Sequence, residues 1–165
     1  MKKLFKALAV LAAALALGFG FTSCSNDDDD DDSGASVLAA YSATDSDGET
    51  DTITFYSDNT YTYHIYSKET EDGMTLTMDL DVQKGTYTGD PTTDGTVVCT
   101  SVSQVSEDTM YALMLKAVAS GSTTLTITNS NCPLVALDSS DVETQNCTIS
   151  GTTLTDGEGN TFTRK

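Results

Sequence analysis

The chain lacks several residue types, and each absence narrows what it can be. Its 165 residues include no tryptophan, two prolines and one histidine, and only eight are lysine or arginine. Three of those eight, Lys2, Lys3 and Lys6, stand at the N-terminus, so the rest of the chain sets five basic residues against 25 acidic ones, a formal charge of −20. Because a nucleic-acid partner requires a basic surface, we expect none.

Metal-binding and catalytic motifs are also missing. Cys99, Cys132 and Cys147 lie far from one another and from the single histidine, so no zinc pattern is present. His64 stands in a strand-like run without the partners of a catalytic triad, and we expect a half-buried or exposed strand residue. In the run Asp45–Asp51, an EF-hand loop would require glycine at the sixth position, which is Thr50, and glutamate at the twelfth, which is Tyr56, so the run indicates a hairpin tip at Asp47-Gly48. We therefore expect no metal, no cofactor and no enzymatic activity.

The first 23 residues have the pattern of an export signal. Basic residues precede the apolar run Ala7–Phe21, which is shorter than the roughly 20 residues of a membrane-spanning helix. That length disfavours the alternative, an uncleaved transmembrane anchor. Phe21-Thr22-Ser23-Cys24 resembles the lipobox of bacterial lipoproteins, in which the cysteine is acylated and the chain is cut before it. The resemblance implies a diacylglycerol and acyl lipid on Cys24, the lipoprotein export machinery as a partner, and anchoring in the outer membrane.

Residues 24–34 are expected to form the lipidated cysteine and an acidic tether. Asp27–Asp32 are six adjacent carboxylates, which repel one another and cannot join a core, so this segment predicts a disordered spacer. It resembles the surface-export tether of lipoproteins in some Gram-negative bacteria, which implies display at the cell surface. A plain spacer that leaves the domain facing the periplasm is the alternative.

Residues 35–165 predict one all-β domain. Thr60–Tyr66, Met74–Val82 and Ser122–Thr128 alternate between apolar and polar residues with the period of two that strands require. About eight short strands at hairpin spacing predict a small antiparallel β-barrel or sandwich. Pairs of residues that favour tight turns separate the strand-like runs: Asp47-Gly48, Asp58-Asn59, Asp72-Gly73, Asp94-Gly95 and Asp156-Gly157.

One stretch departs from this pattern. Ser106-Glu107-Asp108 has the composition of a helix start, which predicts a short helix near 107–119 that ends before Gly121. The predicted buried stripe contains Met110, Leu113, Met114, Ala117 and Val118. The alternative is a strand, Met110–Val118, paired with Val97–Val105.

Four segments resemble small bacterial lipocalin-like lipoproteins. The resemblance implies a lipocalin-like barrel of about eight strands, with Asn160–Lys165 as its last strand, and residues 101–142 match the group least. The other three segments are Thr54–Tyr61, Lys84–Asp90 and Ile149–Thr155.

The predicted barrel interior has two interpretations. Seven apolar and aromatic residues either fill it as a core, which their bulk favours, or line a cavity for a small apolar ligand. These residues are Tyr61, Tyr63, Ile65, Met74, Leu76, Met78 and Leu80. Among the cysteines left after lipidation, Cys132 and Cys147 are the pair nearer in sequence and the expected disulfide, with Cys99 as a free thiol.

These observations favour a monomeric, non-enzymatic binding or accessory module, anchored in a membrane through Cys24. The alternative is a structural or adhesive envelope lipoprotein with no small-molecule site.

Overall fold

The computed structural model of the protein describes residues 35–165. The expected signal peptide (1–23), the lipidation site Cys24 and the acidic tether (24–34) lie outside the described residues. The described part contains ten strands and one helix: β1 Val37–Thr44, β2 Thr50–Tyr56, β3 Thr60–Glu71, β4 Met74–Thr88, β5 Gly95–Val105, α1 Glu107–Ala119, β6 Thr124–Ile127, β7 Leu134–Ala136, β8 Thr144–Ser150, β9 Thr153–Thr155 and β10 Thr161–Arg164.

Eight of the strands form a closed antiparallel barrel. Neighbours follow the order β4-β3-β2-β1-β10-β9-β8-β5, and pairing of β5 with β4 closes the ring. Closure leaves no exposed edge around the barrel wall, which explains how strands as short as β9 and β10 are held. The prediction of an all-β, eight-stranded antiparallel barrel with one short helix is confirmed.

Local sequence explains where the strands begin and turn. Along β4, Leu76, Met78, Leu80 and Val82 are buried between more exposed neighbours, as the period of two predicted. Asp72 and Gly73 both have positive φ, of 51° and 80°, which is the conformation that a two-residue hairpin turn between β3 and β4 requires.

The segment between β5 and β8 builds a cap at one end of the barrel. The Ser106 hydroxyl accepts a hydrogen bond from the Thr109 N–H at 3.3 Å and starts α1, so the predicted helix is confirmed and the strand alternative is wrong. Met110, Met114 and Ala117 are buried as expected. Val118 is 60% exposed, because the cap covers only one face of the helix.

The cap uses the half of β4 that extends beyond the barrel. Thr75–Met78 pair in parallel with β6, whereas Gln83–Thr88 pair with β5. The long β3–β4 hairpin therefore belongs to the barrel at one end and to the cap at the other.

Buried apolar residues accordingly form two clusters, one inside the barrel and one under α1. In the barrel, Phe55 lies edge-on to Tyr87 with ring centroids 5.0 Å apart, a favourable aromatic geometry. The barrel cluster contains Ala39, Tyr41, Ile53, Phe55, Tyr61, Tyr87, Val97, Cys99, Cys147, Ile149, Leu154 and Phe162. The cap cluster contains Ile65, Leu76, Met78, Leu80, Val82, Val105, Met110, Met114, Ile127 and Cys132.

The two ends of the barrel differ. At the end where β4 finishes, the loop of residues 89–94 packs on the interior, and its buried Pro91 accepts a hydrogen bond from the Tyr41 hydroxyl at 2.7 Å. Val37 of β1 pairs with Tyr56 at this end, so the described chain begins there. At the opposite end β8 begins and β5 runs into α1.

Candidate functional site

A cleft opens at the end of the barrel where β8 begins. Its volume is about 570 Å³, within the range of roughly 300–1,000 Å³ that is typical of small-molecule sites. Nine residues line it: Tyr61, Gln83, Cys99, Ser101, Glu143, Thr144, Gln145, Asn146 and Gly157. The lining comes from β3, β4, β5, the start of β8 and the β9–β10 loop, so the site is framed mainly by barrel strands.

Strand register brings the lining side chains together. Cys99 of β5 lies opposite Gln145 of β8, and Gln83 of β4 lies opposite Tyr63 of β3. Alternation along β8 turns Gln145 to the same face as the buried Cys147, whereas Thr144 contacts Thr100 on the exposed face. Inward side chains from the four neighbouring strands β3, β4, β5 and β8 therefore form the walls.

A glycine shapes one wall of the cleft. A Cβ atom at Gly85 would lie against the Thr100 carbonyl oxygen and 2.6 Å from Cε1 of Tyr61. Without it, the Tyr61 ring lies close over β4, and its hydroxyl donates to Oε1 of Gln83 at 3.2 Å. Burial raises the pKa of the Tyr61 hydroxyl, so this group remains a hydrogen-bond donor at neutral pH.

A main-chain clamp fixes the rim where β8 begins. The buried Ser101 N–H donates to the Glu143 carbonyl oxygen at 2.9 Å. The Ser101 hydroxyl donates to the same oxygen and accepts from the Glu143 N–H, both at 3.3 Å. Because these bonds use the main chain of Glu143, its exposed side chain is not engaged by the clamp.

Six of the seven residues expected to line a cavity belong to or pack against the two clusters, and Met74 belongs to neither. Of the seven, Tyr61 alone lines the cleft. Tyr63 is half-buried and touches both clusters, and Met74 is half-buried at the start of β4. The remaining four, Ile65, Leu76, Met78 and Leu80, are buried in the cap cluster beneath α1.

The cysteines are not arranged as the sequence suggested. Cys147 lies in the barrel cluster with its Sγ 4.0 Å from Sγ of Cys99. Cys132 lies in the cap cluster with its Sγ 4.0 Å from the Ser106 carbonyl oxygen. No disulfide links the three described cysteines, and the expected pair, Cys132 and Cys147, is not the pair that the fold brings together. Pairing of β5 with β8 decides which thiols meet, whatever their separation in sequence.

A half-buried carboxylate, that of Asp51, lies on the inner side of the wall formed by β2 and β3. The Tyr63 hydroxyl donates to Oδ2 of Asp51 at 2.9 Å, while the buried Oδ1 has no hydrogen-bond partner among the described residues. Burial raises the pKa of the Asp51 carboxyl, and burial together with the Asp51 charge raises the pKa of the nearby Glu49.

His64 lies on the outer face of the β3–β4 hairpin, away from the cleft. Its Nδ1 is 2.9 Å from Oδ1 of Asp81 and its Nε2 is 3.1 Å from Oδ1 of Asp79. Since ionised carboxylates only accept, both contacts are hydrogen bonds only when both ring nitrogens carry hydrogen. Within residues 35–165 no three His, Cys, Asp or Glu side chains are grouped as a metal site.

A scan against protein-family models and searches of curated proteins and solved structures each found no match. The closed eight-stranded barrel is consistent with the lipocalin-like fold that the sequence motifs implied. No helix in residues 35–165 is long and apolar enough to span a membrane.

Proposed function

We propose that this chain is a bacterial lipoprotein, exported and acylated at Cys24, whose barrel is a non-enzymatic binding module at the surface of the outer membrane. The cleft beside Tyr61 and Gln83 is its ligand site. The observation that carries the proposal is an open space of about 570 Å³ in a barrel whose remaining interior is filled by buried aromatic and aliphatic side chains. Small-molecule sites are concave spaces of about this size, so the cleft supports a binding role.

The positions of the chain entry and the cleft at opposite ends of the barrel support display of the site. The chain enters at Ala35, at the end covered by Pro91, and the cleft and α1 lie at the other end. An anchor at Cys24 therefore attaches, through the expected tether, to the end opposite the cleft and leaves the mouth of the cleft unobstructed. The same polarity holds if the domain faces the periplasm, which stays the alternative location.

The lining favours a small, polar, uncharged ligand. Gln83 and Gln145 each offer an amide that both donates and accepts, and the Tyr61 ring provides one flat apolar surface. None of the lining residues is basic, which disfavours anions, fatty acids included. The small apolar ligand considered from the sequence would leave the amides of Gln83 and Gln145 without a partner on the ligand. Short uncharged sugars, whose hydroxyls also both donate and accept, fit these groups better.

Melting of the purified full-length chain in detergent, measured with a panel of probes, tests the proposal. We expect a short neutral sugar such as maltose or cellobiose to raise the midpoint temperature of thermal unfolding. Palmitate should leave that temperature unchanged. Gln83→Leu should abolish the shift. Gln104→Leu makes the same chemical change at the residue of β5 that pairs with Gln83 but does not line the cleft, and it should preserve the shift. Stabilisation by palmitate alone, or a sugar effect that survives Gln83→Leu, would contradict the assignment of the site.

A separate observation favours the second candidate, a structural or adhesive envelope lipoprotein. On the outer face of α1, Tyr111, Leu115 and Val118 are 50%, 52% and 60% exposed and follow one helical stripe. Three side chains provide much less than the roughly 800 Å² per partner that stable complexes bury, so only weak contact is expected. If adhesion is the function, Leu115→Ser should reduce attachment of whole cells to a surface, and Gln83→Leu should not.

A further inference from the structure

Two thiols meet at the floor of the cleft. Cys99 and Cys147 are inward residues on the paired strands β5 and β8, each no more than 4% exposed, with their sulfurs 4.0 Å apart. Only Cys99 lines the cleft, so a molecule entering from solvent reaches that sulfur first. Cys132 is remote from both, in the cap cluster.

We infer that Cys99 and Cys147 form a dithiol site that a small organic disulfide, entering through the cleft, oxidises to a Cys99–Cys147 disulfide. The inference does not depend on the proposed ligand, because it requires only the open cleft and the contact between the two sulfurs. It concerns a covalent modification of the chain and leaves the binding role of the cleft to be tested separately.

The reaction balances as two successive exchanges. The Cys99 sulfur attacks one sulfur of the entering disulfide, whose S–S bond breaks, and the first small thiol leaves. The Cys147 sulfur then attacks Cys99 in the resulting mixed disulfide, and the second small thiol leaves. The two cysteines lose two electrons and two hydrogens, and the two released thiols gain them.

The contact between the sulfurs suits the first exchange. Its hydrogen bond lowers the pKa of the Cys147 thiol and, together with burial, raises the pKa of Cys99. Either sulfur can donate in this contact, and the two directions make Cys147 the readier of the two to ionise. A Cys147 thiolate then takes the Cys99 hydrogen as Cys99 attacks, and passes it to the small thiolate that leaves before Cys147 attacks in turn, which compensates for the weak acidity of Cys99 in its buried position.

The register predicts a disulfide that is easily reversed. Cys99 lies opposite Gln145, and Cys147 lies opposite Val97, so the two cysteines are diagonal neighbours. Diagonal Cα atoms are typically about 7–8 Å apart, beyond the roughly 4.4–6.8 Å that disulfides prefer. Closing the bond requires the sulfurs to approach by about 2 Å and the strands to adjust slightly. A bond under such strain is more readily reduced than a structural disulfide, which suits a reversible site.

Full-length chain carrying Cys24→Ser, kept in detergent, leaves the three described thiols for the test. After equilibration with glutathione disulfide, we expect an intact mass lower by two hydrogens, with no glutathione attached. Only one of the three thiols should then react with an alkylating reagent after unfolding. Trypsin alone leaves Cys132 and Cys147 on one peptide, because no Lys or Arg lies between Lys116 and Arg164, so a second cleavage after Glu143 is needed to locate the link.

Single substitutions in the Cys24→Ser chain separate the first exchange, at Cys99, from the second, at Cys147. Cys147→Ser should stop the reaction at one glutathione on Cys99, and Cys99→Ser should greatly slow modification because Cys147 does not line the cleft. Cys132→Ser is the matched control and should still lose two hydrogens. The inference is overturned if all three thiols stay fully alkylatable or if the link includes Cys132. It is also overturned if glutathione stays on Cys99 in a chain that keeps Cys147, or if Cys99→Ser reacts as fast as Cys147→Ser.

Discussion

Replacement of Gly85 by alanine tests the geometry of the cleft wall most directly. The new methyl group would press on the Thr100 carbonyl oxygen and on the Tyr61 ring. The ring has some freedom to move, but the carbonyl belongs to the β4–β5 pairing that closes the barrel. Overpacking costs typically about 1–3 kcal/mol, and a weakened ladder hydrogen bond adds about 1 kcal/mol. We therefore expect the free energy of unfolding to fall by about 3 kcal/mol.

For a domain of this size, that loss lowers the melting midpoint by about 10 °C. Urea unfolding followed by circular dichroism measures the free energy, and a thermal scan measures the midpoint. Thr86→Ala is the matched control, because Thr86 is the exposed neighbour on the same strand and its loss should cost less than about 1 kcal/mol. If Gly85→Ala proved as stable as Thr86→Ala, the close approach of Tyr61 and Thr100 to Gly85 would be wrong, and so would this wall of the cleft.

Three further predictions concern the anchor, the tether and the barrel interior. Cys24→Ser should release the protein from the membrane fraction; a variant that stays membrane-bound, with no acyl mass on the native chain, would refute the anchor. Serine and glycine in place of Asp27–Asp32 should leave the melting midpoint unchanged while lowering access of external protease on whole cells, and a large loss of thermal stability would contradict a tether. Burial raises the folded-state pKa of Asp51 above its ordinary value of 3.8, so its ionisation opposes folding at neutral pH, and that cost disappears as pH falls below the unfolded-state value. Asp51→Asn should therefore raise the urea midpoint at pH 7 and leave it unchanged near about pH 3; a variant that is destabilised at both pH values would show that the carboxylate is not strained by burial.

The features that sequence predicted well are those whose causes are local. Alternation placed the inward side of β4 correctly, because every second residue of a strand points to the same, buried face of the sheet. Asp72 and Gly73 marked a turn, because few residues tolerate positive φ at consecutive positions. Ser106 marked the start of α1 because its hydroxyl accepts a hydrogen bond from the N–H of Thr109, which is only three residues away in sequence.

The cleft was beyond such reasoning because it depends on pairing between distant strands. Where Tyr63 pairs with Gln83 and His64 pairs with Asp81, Val82 is an extra residue on β4. The bulge lets both Val82 and Gln83 face inward, although strict alternation would place Gln83 on the outside. Likewise, the meeting of Cys99 with Cys147 follows from the β5–β8 register, which skips over α1, β6 and β7. Neither a lone glutamine nor a pair of distant cysteines signals such contacts in the sequence.

The extension of the β3–β4 hairpin has a consequence for lateral crowding. Pairing of β2 with β3 stops at Tyr66, so the edge of Ser67–Thr70 that faces away from β4 has no strand partner within residues 35–165. Such an edge is a template on which another chain can add a strand. If the chain is anchored through Cys24 as proposed, copies held in one membrane plane meet their neighbours side by side and repeatedly, which favours growth of a shared sheet. Lys68 and Glu69 place charges along this edge. Each neighbour that docked there would have to strip water from those charges, which keeps densely packed copies separate.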